Sequence, residues 1–318
     1  MKLSHLSHVL TVLRSALGLL PASFSISLLK ISRSAFSIRL NGILEEQIFS
    51  PLLKGNPATL PLLRLFVPVV IERQMTIRVG DESQRNYWVG HFDEVAGYIH
   101  RHLGAEDTFI DIGANCGFMS LVASAHIPAS QIHCFEPNPD TFAELTNNLR
   151  INALVANTYN LALSDKKDRC RLFVPDGACG GSSIEAKNYQ RRDLLPGEKL
   201  PTAFHEVDAE RFDDLWKTIS PKTPLSTGNI VIKLDAEGFE MTIISGMTEF
   251  LKTYASRITL LIEVYDSEYD DAVSKLSALG FTCHHILMDG GIASAERPGT
   301  NRFRNYCFKT LLWSAPTP

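Results

Sequence analysis

The chain has 318 residues, of which 45% are hydrophobic and 21% are charged, so it can bury a core without relying on disulfides or metal ions for stability. Its 31 basic and 35 acidic side chains give a formal charge of −4, unlike the basic surface of nucleic-acid-binding proteins, and we expect no nucleic-acid partner. The six cysteines form neither a C-x-x-C pair nor a cluster at zinc spacing, which favours a reduced, cytoplasmic protein.

The first 44 residues differ from the rest in charge, because they carry five basic side chains and no acidic one. Their apolar run, residues 9–20, is interrupted by Arg14 and is too short to span a bilayer. The same run is poorly suited to a secretory signal, which leaves two interpretations of this basic segment: an organelle-targeting peptide, or a helical segment that packs on the core or lies on a membrane surface. Of these, a helical segment that packs on the core is favoured.

Residues 1–90 are predicted to form a helical N-terminal extension that ends in a β-hairpin. Prolines separate the predicted helices before residue 60, and the polar stretch 81–85 is predicted to form the turn of the hairpin. The strands predicted in this part cover residues 66–70, 74–79 and 87–89.

From residue 91 to residue 318 the pattern predicts a second domain in which helices and strands alternate. Helices are predicted at 93–103, 118–125, 139–151, 241–254 and 269–279. Strands are predicted at 108–112, 131–135, 157–163, 230–234 and 258–264, with a late antiparallel strand at 306–313. This alternation indicates an α/β fold with a mostly parallel, doubly wound, Rossmann-like sheet.

A glycine-containing segment, Asp-Ile-Gly-Ala-Asn-Cys-Gly at residues 111–117, joins a predicted strand to a predicted helix. Its spacing lacks the G-x-G pair of dinucleotide-binding loops, and the acidic Asp111 suits a cationic ligand better than a pyrophosphate. Glu136 ends the next strand, where a carboxylate accepts hydrogen bonds from both hydroxyls of a ribose. Together these features predict S-adenosylmethionine as the cofactor.

Several spaced motifs occur in a fixed order: Phe-Ile-Asp-Ile-Gly-Ala-Asn-Cys-Gly at 109–117, Phe-Glu-Pro-Asn-Pro at 135–139, and Ile-Lys-Leu-Asp-Ala-Glu-Gly-Phe-Glu at 232–240. In these motifs the chain resembles the FkbM family of S-adenosylmethionine-dependent methyltransferases, from about residue 92 to residue 264. The resemblance implies a class I methyltransferase fold. It also implies a cofactor site built from Asp111, Gly113, Ala114, Asn115, Gly117, Glu136 and Pro137. On the adenine side it implies residues 160–163 at the end of the third strand, among them Ala162.

A second constellation follows the fourth strand, where Lys233, Asp235 and Glu237 alternate before Gly238. A hydroxyl that accepts a methyl group needs a base within reach, and Asp235 and Glu237 are the candidate catalytic residues. Three alternatives stay open. In the first, Asp235 anchors the cofactor ammonium. In the second, the two acids hold a divalent cation. In the third, Glu237 caps the next helix while Lys233 pairs with a neighbouring acid.

The function expected from this resemblance is O-methylation of a hydroxyl on a sugar, glycolipid or secondary metabolite, with a small molecule or a glycan as acceptor. Glu263 is a weaker candidate for lining the acceptor pocket, and Ser182 and Ser183 are candidates in a loop over it. Two other functions remain as alternatives: a nucleotide-dependent oxidoreductase and a non-catalytic binding subunit with a methyltransferase fold. The sequence predicts neither the acceptor nor the oligomeric state.

Overall fold

A computed structural model of the chain describes residues 67–70, 74–77, 94–174, 182–184, 203–287, 290–295 and 303–310. The chain divides into two compact units, Met1–Phe92 and Asp93–Pro318. In the first unit, strand β1 (Val67–Val70) pairs antiparallel with strand β2 (Gln74–Ile77). The predicted helices before residue 60, the basic segment and the predicted strand 87–89 lie outside the described residues.

The second unit alternates helices and strands. Its described helices are α1 (Glu94–His102), α2 (Phe118–Ala123), α3 (Pro139–Ile151), α4 (Phe212–Ile219), α5 (Glu240–Gly246), α6 (Thr248–Thr253) and α7 (Tyr269–Ser277). Its described strands are β3 (Thr108–Ile112), β4 (Ile132–Phe135), β5 (Asn157–Tyr159), β6 (Ala162–Ser164), β7 (Asp168–Phe173), β8 (Phe204–Arg211), β9 (Ile230–Leu234), β10 (Ile258–Tyr265), β11 (Phe281–Ile286), β12 (Ile292–Ser294) and β13 (Phe303–Thr310). None of the helices described is long and apolar enough to cross a membrane.

Eight of the described strands form the main sheet of the second unit, in the order β12-β11-β13-β10-β9-β3-β4-β5. Strands β5, β4, β3, β9 and β10 run parallel, whereas β13 is antiparallel to both β10 and β11. This order confirms the predicted Rossmann-like class I methyltransferase sheet with a late antiparallel strand. The strand order reverses between β3 and β9, and ligands of open α/β sheets bind at the carboxyl ends of the strands beside such a point.

The two faces of the central strands differ in chemistry. One face carries a continuous row of isoleucines and leucines, which packs with Trp216 of α4, Ile243 of α5 and Leu276 of α7 in the main hydrophobic core. The opposite face carries Asp111 on β3 and Lys233 on β9, which are partners in the ladder between these strands. Because both faces are buried, these strands are nearly continuous apolar runs, which is why the sequence predicts the bounds of β3 and β9 correctly.

A second sheet has three strands in the order β6-β8-β7 and was not predicted. The segment 157–163, predicted as one strand, divides at Asn160 into β5 of the main sheet and β6 of the second sheet. The placement of Ala162 at the end of the third strand of the main sheet is therefore wrong. Its side chain is buried in the small hydrophobic cluster of the second sheet, with Leu172, Val207 and Ala209.

The segment 241–254, predicted as one helix, is two helices that meet at Met247. The carboxylate of Asp213 accepts hydrogen bonds from the backbone N–H groups of Glu249 (3.0 Å) and Phe250 (2.8 Å). These are N–H groups of the first turn of α6, so a side chain from α4 supplies the acceptors that a continuous helix would have provided.

Candidate functional site

The loop that follows β3, residues 113–117, is called the glycine loop below. Its backbone is fixed to the neighbouring strand, because the N–H groups of Gly113 and Ala114 both donate to the carbonyl oxygen of Phe135 at 3.0 Å. Gly113, Asn115 and Gly117 have positive φ angles of 73°, 50° and 88°. The chain therefore turns tightly at the carboxyl end of β3, and Gly117 precedes the first residue of α2.

Gly113 has no room for a side chain. A Cβ atom at this position would lie 1.8 Å from the backbone oxygen of Asp235, and its φ angle of +73° disfavours any other residue. The glycine thus lets the glycine loop approach the chain that follows β9.

We predict that Gly113→Ala lowers the free energy of unfolding by about 3 kcal/mol, since left-handed strain and a steric clash add together. Urea unfolding measures this loss. Gly280→Ala is the matched control, because Gly280 has a similar φ of +88° but a Cβ atom there would have no heavy atom within 4 Å, so only the strain of about 1 kcal/mol is expected. Equal losses in the two variants would show that the close approach at Gly113 is unimportant.

Glu136 lies directly after β4 and is 6% exposed. Its Oε2 atom accepts the N–H of Asn115 at 2.9 Å, and its Oε1 atom accepts the N–H of Asn138 at 2.9 Å. Burial raises the pKa of Glu136 to about 7, although these two hydrogen bonds act in the opposite direction. A carboxylate has about four acceptor positions, so the two that remain fit a pair of hydroxyl donors such as those of a ribose.

The segment that follows Glu136 is held by Asn160, which follows the end of β5 and belongs to the stretch 160–163 that is predicted to face the adenine. The side-chain amide of Asn160 donates to the carbonyl oxygens of Glu136 (2.9 Å) and Pro137 (3.2 Å). The carbonyl oxygen of Pro137, not its ring, makes this contact, and the cofactor-binding role of Pro137 stays a prediction.

Asp111 lies beneath the glycine loop and is fully buried. Its Oδ2 atom accepts the hydroxyl of Ser120 at 2.6 Å, and its Oδ1 atom lies 3.7 Å from the Nζ atom of Lys233. Burial raises the pKa of Asp111, and Lys233 opposes that shift. Asp111 thus contacts the glycine loop indirectly, because it pairs with Lys233, whose Nζ atom donates to the carbonyl oxygen of Gly113.

Lys233 connects three parts of the site and is only 7% exposed. Its Nζ atom donates to the carbonyl oxygen of Gly113 at 2.6 Å and lies 3.4 Å from the Oδ2 atom of Asp235. Burial alone lowers the pKa of Lys233, but the carboxylates of Asp235 and Asp111 outweigh burial and raise it overall. The ammonium group therefore stays charged, and the predicted pairing of Lys233 with a neighbouring acid is confirmed.

The chain after β9, residues 235–239, is called the acid loop below. The N–H of Asp235 donates to the carbonyl oxygen of Ile112 at 3.1 Å, which places this residue beside the end of β3. The side chain of Asp235 is 32% exposed and so can be reached by a ligand. Glu237 and Gly238 have positive φ angles of 54° and 92°, so the acid loop turns sharply into α5.

Glu240 closes the turn before α5, and the alternative in which Glu237 caps that helix stays a prediction. The Oε1 atom of Glu240 accepts the N–H groups of Ala236 (2.7 Å) and Gly238 (3.2 Å). Burial raises the pKa of Glu240 to about 8. The final Glu of the family-specific motif would have suggested a role at the start of α5, because acidic side chains are favoured in the first turn of a helix, where free N–H groups lie.

Glu263 near the end of β10 completes the acidic side of the site. Its pKa is raised well above the usual value, first by burial and then by the charges of Asp235, Glu237 and Glu240. The acids at the ends of β9 and β10 therefore lie near one another, and the place of Glu263 in the acceptor pocket stays a prediction. Among the described residues, no group of three or more His, Cys, Asp or Glu side chains is arranged to hold a metal ion, so the geometry gives the divalent-cation hypothesis no support.

Comparison with protein-family models finds one match in the region of this site. A model described as "Methyltransferase FkbM domain" matches residues 111–287, which include the glycine loop, Glu136, the acid loop and Glu263.

The chain is similar to hexuronic acid methyltransferase AglP of Haloferax volcanii, with 27% identity over 154 residues that cover 46% of this chain and 53% of AglP. It is also similar to 31-O-demethyl-FK506 methyltransferase FkbM of Streptomyces tacrolimicus, with 24% identity over 195 residues that cover 55% of this chain and 73% of the relative. The chain thus spans about half the length of AglP.

Among solved structures, a methyltransferase FkbM from Methylobacillus flagellatus KT matches with 14% identity and a TM-score of 0.40, covering 70% of this chain and 52% of that one. Magnesium protoporphyrin IX methyltransferase from Synechocystis PCC 6803 matches with 12% identity and a TM-score of 0.36, covering 72% and 84% of the two chains.

Proposed function

The chain belongs to the FkbM methyltransferase family, and from that premise we propose that it transfers the methyl group of S-adenosylmethionine to an acceptor hydroxyl. The observation that carries the proposal is Glu136. It is a buried carboxylate whose two oxygens are oriented by backbone N–H groups of the glycine loop and of the segment before α3, with acceptor positions left for a ribose.

The charge of the site fits this cofactor. Asp111, Glu136, Asp235 and Glu263 lie around the carboxyl ends of β3, β4, β9 and β10, and Lys233 is the cation that the structure describes among them. Asp111 is paired with Lys233, and burial raises the pKa of Glu136 and of Glu263, so a cationic ligand bound beside these acids would favour their ionised forms and be stabilised by them. When bound, S-adenosylmethionine supplies a methyl group activated on a positively charged sulfur.

In this proposal the residues of the chain have separate tasks. Glu136 holds the ribose, and the backbone of Gly113, Ala114, Asn115 and Gly117 lines the cofactor. Asp235 takes the proton from the acceptor hydroxyl as the new carbon–oxygen bond forms, and Glu237 orients the acceptor. Asp235 suits the base role because its side chain is 32% exposed, so an acceptor hydroxyl can reach it, and because it lies at the end of β9 beside the glycine loop.

The acceptor is proposed to be a hydroxyl on a sugar, a glycolipid or a secondary metabolite. This class is supported by the names of the relatives, one a methyltransferase of a hexuronic acid and the other of an O-demethylated FK506. A cytoplasmic location, and contact of the basic segment with a membrane surface, remain predictions from the sequence.

The ribose role of Glu136 is tested with the isosteric variant Glu136→Gln. We expect its dissociation constant for S-adenosylmethionine to rise about 30-fold or more, since hydrogen bonds to a charged acceptor contribute about 1.5–3 kcal/mol each. Isothermal titration calorimetry measures this change. Glu106→Gln is the control, because Glu106 is exposed and lies before the amino end of β3. The affinity of this variant for S-adenosylmethionine should equal that of the wild type.

The same role predicts a pH dependence. Hydroxyl donors favour the ionised carboxylate, and the pKa of Glu136 is about 7 before the ligand binds. Affinity should therefore rise between pH 6 and pH 8 and level off above that range, whereas Glu136→Gln should lose this dependence. The same pH profile in both proteins would contradict the ribose role.

A further inference from the structure

A short segment, residues 182–184, links the two sides of the site and is called the strap below. Its backbone is fixed to β7, because the N–H of Ser183 donates to the carbonyl oxygen of Phe173 at 3.1 Å and the N–H of Phe173 donates to that of Ser183 at 2.9 Å. The strap therefore has a defined position relative to the second sheet.

On the cofactor side, the strap contacts Asn138. The side-chain amide of Asn138 donates to the Oγ atom of Ser182 at 3.3 Å, and the backbone N–H of Asn138 donates to Glu136. The side-chain oxygen of Asn138 also caps α3 by accepting the N–H of Asp140 at 3.0 Å. One end of the strap is thus joined to the residue that orients the proposed ribose carboxylate.

On the acceptor side, the strap contacts the acid loop. The Oγ atom of Ser183 donates to the backbone oxygen of Glu237 at 2.9 Å, and Ser183 is only 2% exposed. Glu237 is a non-glycine residue with a φ angle of 54°, a conformation that surrounding contacts must maintain. The charge of Glu237 contributes to raising the pKa of Glu263, after burial and the charge of Asp235, which agrees with a place for Glu237 on the acidic side of the site.

We propose that Ser183 is a positioning residue that holds the acid loop in its turned conformation and so places Glu237 toward the acceptor. The effect of Ser183 on turnover rests on the proposed methyl transfer, whereas its effect on the conformation of the acid loop does not. The hydroxyl of Ser183 donates a hydrogen bond to the backbone oxygen of Glu237, and the neighbouring Ser182 accepts one from Asn138. The strap thus connects the acid loop to the segment that orients Glu136.

Hydrogen exchange on the full chain without ligand tests the structural part. Ser183→Ala should speed the exchange of the amides at residues 236–239 about threefold or more, because the acid loop loses a restraint. Ser183→Thr keeps the hydroxyl and should exchange more slowly than Ser183→Ala. The control is Ser124→Ala, which removes a similar buried hydroxyl that donates to the carbonyl oxygen of Leu121 at 2.8 Å. Unchanged exchange in Ser183→Ala would overturn the proposal, whether or not methyl transfer is found.

A double-mutant cycle tests the effect on turnover. The acceptor is first chosen by offering the wild-type protein labelled S-adenosylmethionine and a panel of sugars, and the variants are then assayed with the sugar that is methylated. Ser183→Ala should lower kcat about 10- to 100-fold, with the affinity for S-adenosylmethionine unchanged, since small misplacements of reacting groups have effects of this size. In the Glu237→Ala background, Ser183→Ala should add little. Fully additive effects would overturn the proposal. Failure of the wild-type protein to bind S-adenosylmethionine would instead refute the proposed function and leave the exchange result standing.

Discussion

Replacing Lys233 with methionine is expected to lower the free energy of unfolding by about 3–5 kcal/mol, the usual loss when one partner of a buried ion pair is removed. The ammonium group of Lys233 lies 3.7 Å from a carboxylate oxygen of Asp111 and 3.4 Å from one of Asp235. Methionine fills a similar volume but leaves the fully buried Asp111 with only the hydroxyl of Ser120 as a described hydrogen-bond partner. The hydrogen bond to Gly113 is lost as well.

Urea unfolding of Lys233→Met at pH 5 and pH 8 measures this loss and its cause. Burial already raises the pKa of Asp111, and removing Lys233 raises it further. A carboxyl group with a raised pKa in the folded state contributes stability at low pH that is lost as pH rises. The loss of unfolding free energy in Lys233→Met, relative to the wild type, should therefore be larger at pH 8 than at pH 5.

The matched control is Lys275→Met, which removes an exposed lysine 2.9 Å from Asp271 on α7 and should change stability by less than about 1 kcal/mol. Equal effects in the two variants would contradict a buried ion pair at Lys233.

Replacing Asp235 with asparagine is expected to lower turnover by about 10²- to 10⁴-fold, the usual contribution of a general base. The affinity for S-adenosylmethionine should change much less, because Glu136 and the glycine loop keep their contacts. Asparagine preserves the shape of the side chain but cannot take up the proton of the acceptor hydroxyl.

The turnover of Asp235→Asn is measured by labelled methyl transfer to a sugar acceptor, with calorimetry of the same protein for affinity. Asp271→Asn, an exposed acid on α7, is the control and should retain wild-type turnover. Full turnover in Asp235→Asn would exclude the base role. A large loss of affinity with unchanged turnover at saturation would instead favour the alternative in which Asp235 anchors the cofactor ammonium.

The parts of the fold that the sequence predicted well are those in which burial dominates. Strands β3 and β9 are buried throughout and are bounded by polar or glycine-containing segments, so their limits are visible in the chain. Strands β7 and β8 were missed because they are largely polar and partly exposed. The break at Met247 was missed because its cause is the carboxylate of Asp213, which belongs to another helix.

For the site, the sequence located the glycine loop, Glu136 and the acid loop, because each occupies a short motif at the end of a predicted strand. It did not establish that Lys233 joins Asp111 to Asp235, because Asp111 and Lys233 become neighbours only through the register of β3 and β9. Ala162 was misplaced for a related reason. Apolar residues continue past the end of β5, and only the three-dimensional structure shows that the chain changes sheets there.

The most direct test of the central claim is a calorimetric titration of the full chain with S-adenosylmethionine, its demethylated product and NADH. We predict saturable one-to-one binding of the first two, in competition with each other, and no binding of NADH. Absence of heat with both S-adenosylmethionine and its product, or tight binding of NADH in their place, would contradict the assignment of this site to methyl transfer.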